Sequence, residues 1–221
     1  MSGLPTAVVM EADGRLALPL LVLGMATWTF GEYVLHRFAM HERGGRGILS
    51  REHLEHHVKA AWGFDPLIVL AWVGVVLVGV LGVAPVGLVF GGPVAGASLG
   101  AGWIVGYFLY EYLDAAAHLR GPRGRYTRWL RMHHFHHHFG HPMRNHGVTT
   151  AFWDRAFGTL DRPDVVAVPR RMAMPWLVSD GGELRAEHAA DYALVGAVDS
   201  DERLAALDRA RAFASLAPTS A

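Results

Sequence analysis

The chain has 221 residues, 52 % of them apolar and only 18 % charged, with a positive mean hydropathy; this fits an ordinary soluble globule poorly and rules out intrinsic disorder. Twenty basic and twenty acidic side chains cancel, so no overall basic field exists to hold a nucleic-acid backbone, and the lack of cysteine removes disulfides, thiolate zinc sites, iron–sulfur clusters and a cysteine nucleophile. The outlier is histidine, with fourteen residues, thirteen of them between His36 and His146, so any metal must be held by nitrogen and oxygen.

Residues 1–15 read as an N-terminal tail. Leu16 to Leu35 is an apolar run of about twenty residues, the length of a helix that crosses the hydrocarbon core. It reads as a retained span rather than a removable leader, because Glu11 and Asp13 precede it, Arg15 is the first basic residue, and no small-residue cleavage site follows. Pro66 to Phe108 is uncharged for 43 residues, about right for two helices and a tight turn. A turn at Gly91-Gly92-Pro93 gives spans near 66–90 and 94–118; Gly82-Val83-Ala84-Pro85 is the other candidate. Gly92, Gly96 and Gly100 recur every fourth residue, and Gly102 and Gly106 repeat that spacing, as in the small faces that let membrane helices approach closely.

From His118 the sequence turns polar and basic. Residues 119–171 read as short helices and loops with Trp153 and Phe157 as buried or interfacial anchors. Residues 172–221 read as a cytoplasmic helical extension, with helical character in Glu183 to Val195 and an amphipathic helix in Asp201 to Leu216. The expected fold is an all-α integral membrane protein of about three transmembrane helices, with the membrane domain at 16–171 and a helical, histidine-rich cytoplasmic cap.

Three spans put every histidine cluster on one side: His36 and His41 end the first, His53, His56 and His57 precede the second, and His118 ends the third. That side also carries all the Lys and Arg residues except Arg15, and the positive-inside rule makes it cytoplasmic.

His53-Leu-Glu-His56-His57 spaces three imidazoles at i, i+3 and i+4 on one helical face, and His134, His137 and His138 repeat the pattern. Converging neutral imidazoles bind one or two divalent ions without thiolates. His36 and His41 are five apart, about 140° around an ideal helix, so they share a site only if the helix ends or bulges between them. Glu111, Asp114 and His118 follow at i, i+3 and i+7, and Glu32 lies one turn before His36; ionisable groups at the end of an apolar helix are costly unless paired, solvated or metal-bound. His188 stands apart and reads as structural or solvent-exposed.

The order His36-x4-His41, His53-x2-His56-His57, His118 and His134-x2-His137-His138 resembles the fatty acid hydroxylase and sterol desaturase superfamily of integral-membrane di-iron enzymes, over roughly residues 28–162. So do the segments from Glu32 to Phe38, Gly106 to Glu111 and Gly147 to Thr159. The last fixes the register of the final box at His134, His137 and His138 rather than His133, His136 and His137. The resemblance implies nine metal ligands, His36, His41, His53, His56, His57, His118, His134, His137 and His138, holding two irons, with zinc able to occupy the same imidazoles. It implies O2-dependent hydroxylation of a fatty acyl chain, lipid-linked or free, with electrons from a separate donor protein. The chain departs from the pattern at Asp114, where such hydroxylases commonly carry a histidine; it is expected as an active-site carboxylate, either a ligand or an acceptor orienting His118. The spacing Asp114-x3-His118-Leu-Arg-Gly-Pro also resembles carotenoid hydroxylases, and a sterol or lipid desaturase belongs to the same superfamily. A non-catalytic membrane metal-binding protein is a different class, against which stand purely apolar span centres with the ionisable residues at one end.

Overall fold

The structure, a computed structural model, describes residues 6–64 and 66–220; the first five residues of the expected tail lie outside it. The chain divides into two compact units, Met1–Gly31 with Asp65–Tyr110 and Glu32–Phe64 with Glu111–Ala221.

In the first unit the helices follow from long apolar runs. Helix α1 is Thr6–Val34, so it begins inside the segment read as a tail. Helix α3, Ile68–Val78, continues through a wide π-type turn at Gly79–Val83 into α4, Ala84–Leu119. The wide turn stands just before Pro85, which has no N–H to carry the hydrogen-bond ladder on. At Gly92 α4 is broken, with φ 78° and ψ −174°, a conformation open to glycine and closed to other residues, and Pro93 follows. The hairpin is therefore at Gly91-Gly92-Pro93, while residues 82–85 stay helical. The limbs 68–91 and 93–119 measure about 36 Å and about 40 Å at 1.5 Å per residue, each longer than a hydrocarbon core.

The helical stretches Gly14–His41 and Ile68–Leu119 are long and apolar enough to cross a membrane. Their side chains face outward rather than into a protein core: Leu81 is 70 %, Val89 77 % and Phe90 86 % exposed. The glycine spacing resolves into two faces of one helix. A Cβ on Gly96 or Gly100 would strike Ala84, Leu88 or Gly79 across the hairpin, whereas one on Gly102 or Gly106 would strike Leu21, Gly24, Met25 or Trp28 of α1. Close backbone approach replaces hydrophobic drive where the surroundings are as apolar as the helices.

In the second unit α1 gives way to a π-helical turn at Leu35–His41. Helix α2 is Ile48–Lys59, α5 is Arg125–Phe139, α6 is Phe152–Ala156 and α7 is Glu202–Phe213, capped by the Asp201 carboxylate, which accepts from the Leu204 N–H at 2.7 Å. The apolar side of α5, with Leu130, Phe135 and Phe139, joins Val166, Val168, Met174, Leu177 and Tyr192 in one buried core. Arg131, only 4 % exposed, donates to the carbonyls of Ala116, Arg120 and Thr127 and so ties the end of α4 to α5. Three hydrogen bonds offset the burial of its charge.

Two expectations are corrected here. The fold is mostly helical but not all-α: strands β1, Val166–Pro169, and β2, Tyr192–Val195, pair in parallel with Val166 opposite Tyr192. Residues 183–195 are not a helix but an isolated bridge at Leu184, a short 3-10 turn and β2. Tyr192-Ala-Leu-Val finds its partner in the β-branched Val166-Ala-Val, and a pairing partner overrides weak local helix preference.

Candidate metal centre

Histidines five apart meet because the chain leaves the α-helix between them. In a π turn residue i+5 returns to the face of residue i, and the His36 and His41 rings stand 5.2 Å apart. The departure that the spacing demanded is thus built into the backbone.

All nine histidines of the expected ligand set come together, but in two groups. His36, His41, His53, His57 and His137 form one and His56, His118, His134 and His138 the other; within each, one nitrogen per ring lies within 4.8 Å of all the rest, as donors to a single ion would. The two H-x-x-H-H motifs feed both groups in opposite proportion. Helix α2 sends His53 and His57 to the first and His56 to the second, while α5 sends His137 to the first and His134 and His138 to the second. Helix geometry explains the split, because i+4 lies about 40° to one side of i and i+3 about 60° to the other. The groups touch through His57 and His138, whose rings stack at 4.1 Å and 11°.

The outer nitrogens fix the tautomers. Nδ1 of His36, His56, His118 and His137 faces the backbone carbonyl of His146, Ala61, Ala60 and Arg144, at 2.5, 3.3, 3.1 and 2.7 Å. A carbonyl only accepts, so each Nδ1 carries the ring hydrogen and each Nε2 offers a bare lone pair. His41 is in the same state: the Ser215 hydroxyl donates to the His41 carbonyl at 3.3 Å, leaving its oxygen to accept from Nδ1 at 3.1 Å.

Nε2 of His41 and Nε2 of His137 stand 3.0 Å apart with no hydrogen between them. Two lone pairs at that distance repel unless a cation takes both. Protonation does not relieve the clash, since burial holds His53, His57, His137 and His138 well below the ordinary imidazole value. The other inner contacts repeat the spacing: Nε2 of His53 lies 3.0 Å from His36, 2.9 Å from His41 and 3.1 Å from His57. Nitrogens each about 2.1 Å from one ion, the usual imidazole–zinc length, are about 3 Å apart at right angles. The donor set fits a divalent metal.

The second group carries orphaned nitrogens instead. Both nitrogens of His138 and Nδ1 of His134 are buried without a hydrogen-bond partner, while Nε2 of His118 and His134 face each other at 3.0 Å. Asp114 stands beside this group, Oδ1 3.1 Å from Nε2 of His134 and Oδ2 3.7 Å from Nε2 of His56. The expectation that it orients His118 is not met, because the Ala60 carbonyl holds the outer nitrogen of that ring.

A family profile described as fatty acid hydroxylase matches residues 21–159, which contain both groups and Asp114. The chain belongs to the fatty acid hydroxylase family. Its relatives include the fatty acid 2-hydroxylase of Mus musculus, 32 % identical over 155 residues, a match covering 64 % of this chain and 39 % of that protein. A dihydroceramide fatty acyl 2-hydroxylase of Arabidopsis thaliana is 28 % identical over 144 residues, covering 65 % and 61 %. The ceramide very long chain fatty acid hydroxylase of Schizosaccharomyces pombe is 28 % identical over 161 residues, covering 65 % and 42 %. The chain therefore spans well under two thirds of the length of the mouse and fission-yeast relatives. No solved structure matches.

Around the first group this fatty acid hydroxylase family member carries a buried polar frame. Glu32 accepts from the N–H groups of Val148 and Thr149 and from the Thr149 hydroxyl, which fixes the 146–150 loop against the end of α1 and brings the His146 carbonyl to His36. The loop is held from its other side by Asp154, fully buried, which accepts from the N–H groups of His146 and Gly147 and from the Thr159 hydroxyl. Burial opposes ionisation of Asp154, but the His133 and His146 rings and these donors outweigh it and hold the carboxyl well below its usual range. Sequence reading passed over Asp154, His133 and His146 as parts of this frame, because their pairing spans loop residues with no helical spacing to reveal it.

Proposed function

We propose that this chain is an O2-dependent di-iron membrane oxygenase that hydroxylates a fatty acyl chain, lipid-linked or free. The bare lone pairs of His41 and His137 facing each other at 3.0 Å carry the reading, since such a pair calls for a cation. The activities of the relatives favour an acyl substrate over a carotenoid or sterol, and the two that are 2-hydroxylases favour position 2 of the acyl chain as the carbon attacked.

In this reading His36, His41, His53, His57 and His137 hold one iron, and His56, His118, His134 and His138 the other. Asp114 completes the second set. A carboxylate that merely oriented His134 would sit against its outer nitrogen, Nδ1, which has no partner; Asp114 instead lies beside Nε2, the nitrogen turned toward His118. Two irons so held would supply the electrons for reductive cleavage of O2, the chemistry that an unactivated C–H bond requires. One oxygen atom enters the C–H bond and the other leaves as water, which takes two electrons from an external reductant, in this reading a donor protein, and two protons from water. Backbone carbonyls on Nδ1 keep His36, His56, His118 and His137 in the tautomer whose Nε2 is free to ligate. Zinc fits the same nitrogens and would occupy them without supplying redox chemistry.

The membrane reading is three crossings, along 14–34, 68–91 and 93–119, with the histidine groups on the cytoplasmic side, as the distribution of Lys and Arg favours. Lipid mass spectrometry of a host with and without the chain tests the activity. Hydroxylated acyl chains should accumulate only with the chain present; hydroxylated carotenoids or new double bonds, with acyl chains unchanged, would overturn the substrate.

A further inference from the structure

The family match ends at Thr159, yet a residue more than fifty positions later touches the first histidine group. Helix α7 lies against α2, where Arg209 pairs with Glu55, and its Phe213 covers Gly45 in the turn before α2. A buried fork anchors it: Arg171 meets Asp208 through Nε at 2.8 Å and Nη2 at 2.9 Å. Just past its last turn comes Ser215.

Ser215 has φ +53°, in the left-handed region that favours glycine. The Leu216 N–H bonds the Arg211 carbonyl and the Ser215 N–H the Ala212 carbonyl, both at 2.8 Å, the pair of bonds that ends a helix at a position where glycine is the usual residue. A side chain stands where the backbone favours none, and its hydroxyl is the acceptor for Nδ1 of His41. The acceptors that fix His36, His56, His118 and His137 are backbone carbonyls; that of His41 is a side chain from the C-terminal segment.

We propose that Ser215 is a positioning residue for the first metal, fixing the tautomer of His41 from a segment outside the family match. This rests on the reading of that group as a metal site. Without the hydroxyl, nothing obliges Nδ1 of His41 to carry the hydrogen, and Nε2 loses its claim on the ion.

The test uses the full chain, purified in detergent, stripped of metal and reloaded with ferrous iron alone or cobalt(II) alone. Ser215→Gly removes the hydroxyl and relieves the backbone. It should melt at or above the wild-type temperature, yet lose one ion per chain to a chelator about 10–100-fold more readily, with a changed visible cobalt spectrum. Ser215→Thr returns the hydroxyl on a β-branched residue, and should melt lower while holding metal as the wild type does. A merely structural role would move stability and metal retention together. Ser215→Gly that retains both ions like the wild type overturns the proposal while leaving the metal reading standing. A wild type that takes up no ion overturns the metal reading, and this proposal with it.

Discussion

The two histidine groups draw on the same two helices and differ in what completes them. The first adds His36 and His41 from a π turn and is a set of five neutral imidazoles, framed by backbone carbonyls, Glu32 and Asp154. The second adds His118 from the end of α4 and has a carboxylate, Asp114, beside its four imidazoles. On the proposed reading the ions would differ in charge environment although the helices supplying them are alike. An anionic donor favours the higher oxidation state, so the second iron would be the easier to oxidise. Lending one histidine of each H-x-x-H-H motif to the opposite group also binds the two sites together, so damage to a helix should affect both.

The largest expected effect follows from His137, the α5 contribution to the first group, in contact with both His41 and His57. His137→Ala should abolish product formation and remove one ion per chain while the protein stays in the membrane fraction; full activity would show that the group is not the site. Asp114→Ala should remove about one ion per chain from the second group, with partial recovery in Asp114→His, which restores a neutral donor on the same helical face. A carboxylate acting only behind the ligands would instead leave both ions bound and lower affinity or activity ~10–100-fold. Wild-type metal content and turnover in Asp114→Ala would remove the asymmetry between the groups altogether.

A smaller effect separates the apo and metal-loaded chains in acid. His53, His57, His137 and His138 have folded pKa values pushed well below the ordinary value by burial, so the unfolded chain binds more protons once the pH falls below about 6.5. The stability of the stripped protein should therefore be flat above that pH and fall below it, by up to ~1.4 kcal/mol per pH unit for each such ring. Loaded protein should hold its stability to lower pH, because bound metal excludes the protons. Thermal melts of both forms from pH 7.5 to 5 measure this; identical curves would mean that no ion occupies the imidazoles.

The features legible in the sequence are those set by short-range periodicity. The helix departure between His36 and His41, the hairpin at Gly92 and the two small faces of α4 each follow from spacing within a few residues. The grouping of the nine histidines was half legible: the boxes are visible, but their division follows from the 40° and 60° offsets once α2 and α5 face each other. What the sequence concealed depends on distant partners. Tyr192-Ala-Leu-Val becomes a strand because Val166-Ala-Val lies beside it, Asp114 meets His134 rather than the histidine one turn away, and Ser215 reaches His41 across 174 positions.

The central claim is that these imidazoles hold two ions, and metal analysis of the gently purified full chain from iron-replete cells tests it most directly. The account predicts close to two metals per chain, with iron as the metal bound. A stoichiometry near zero in folded protein would contradict it.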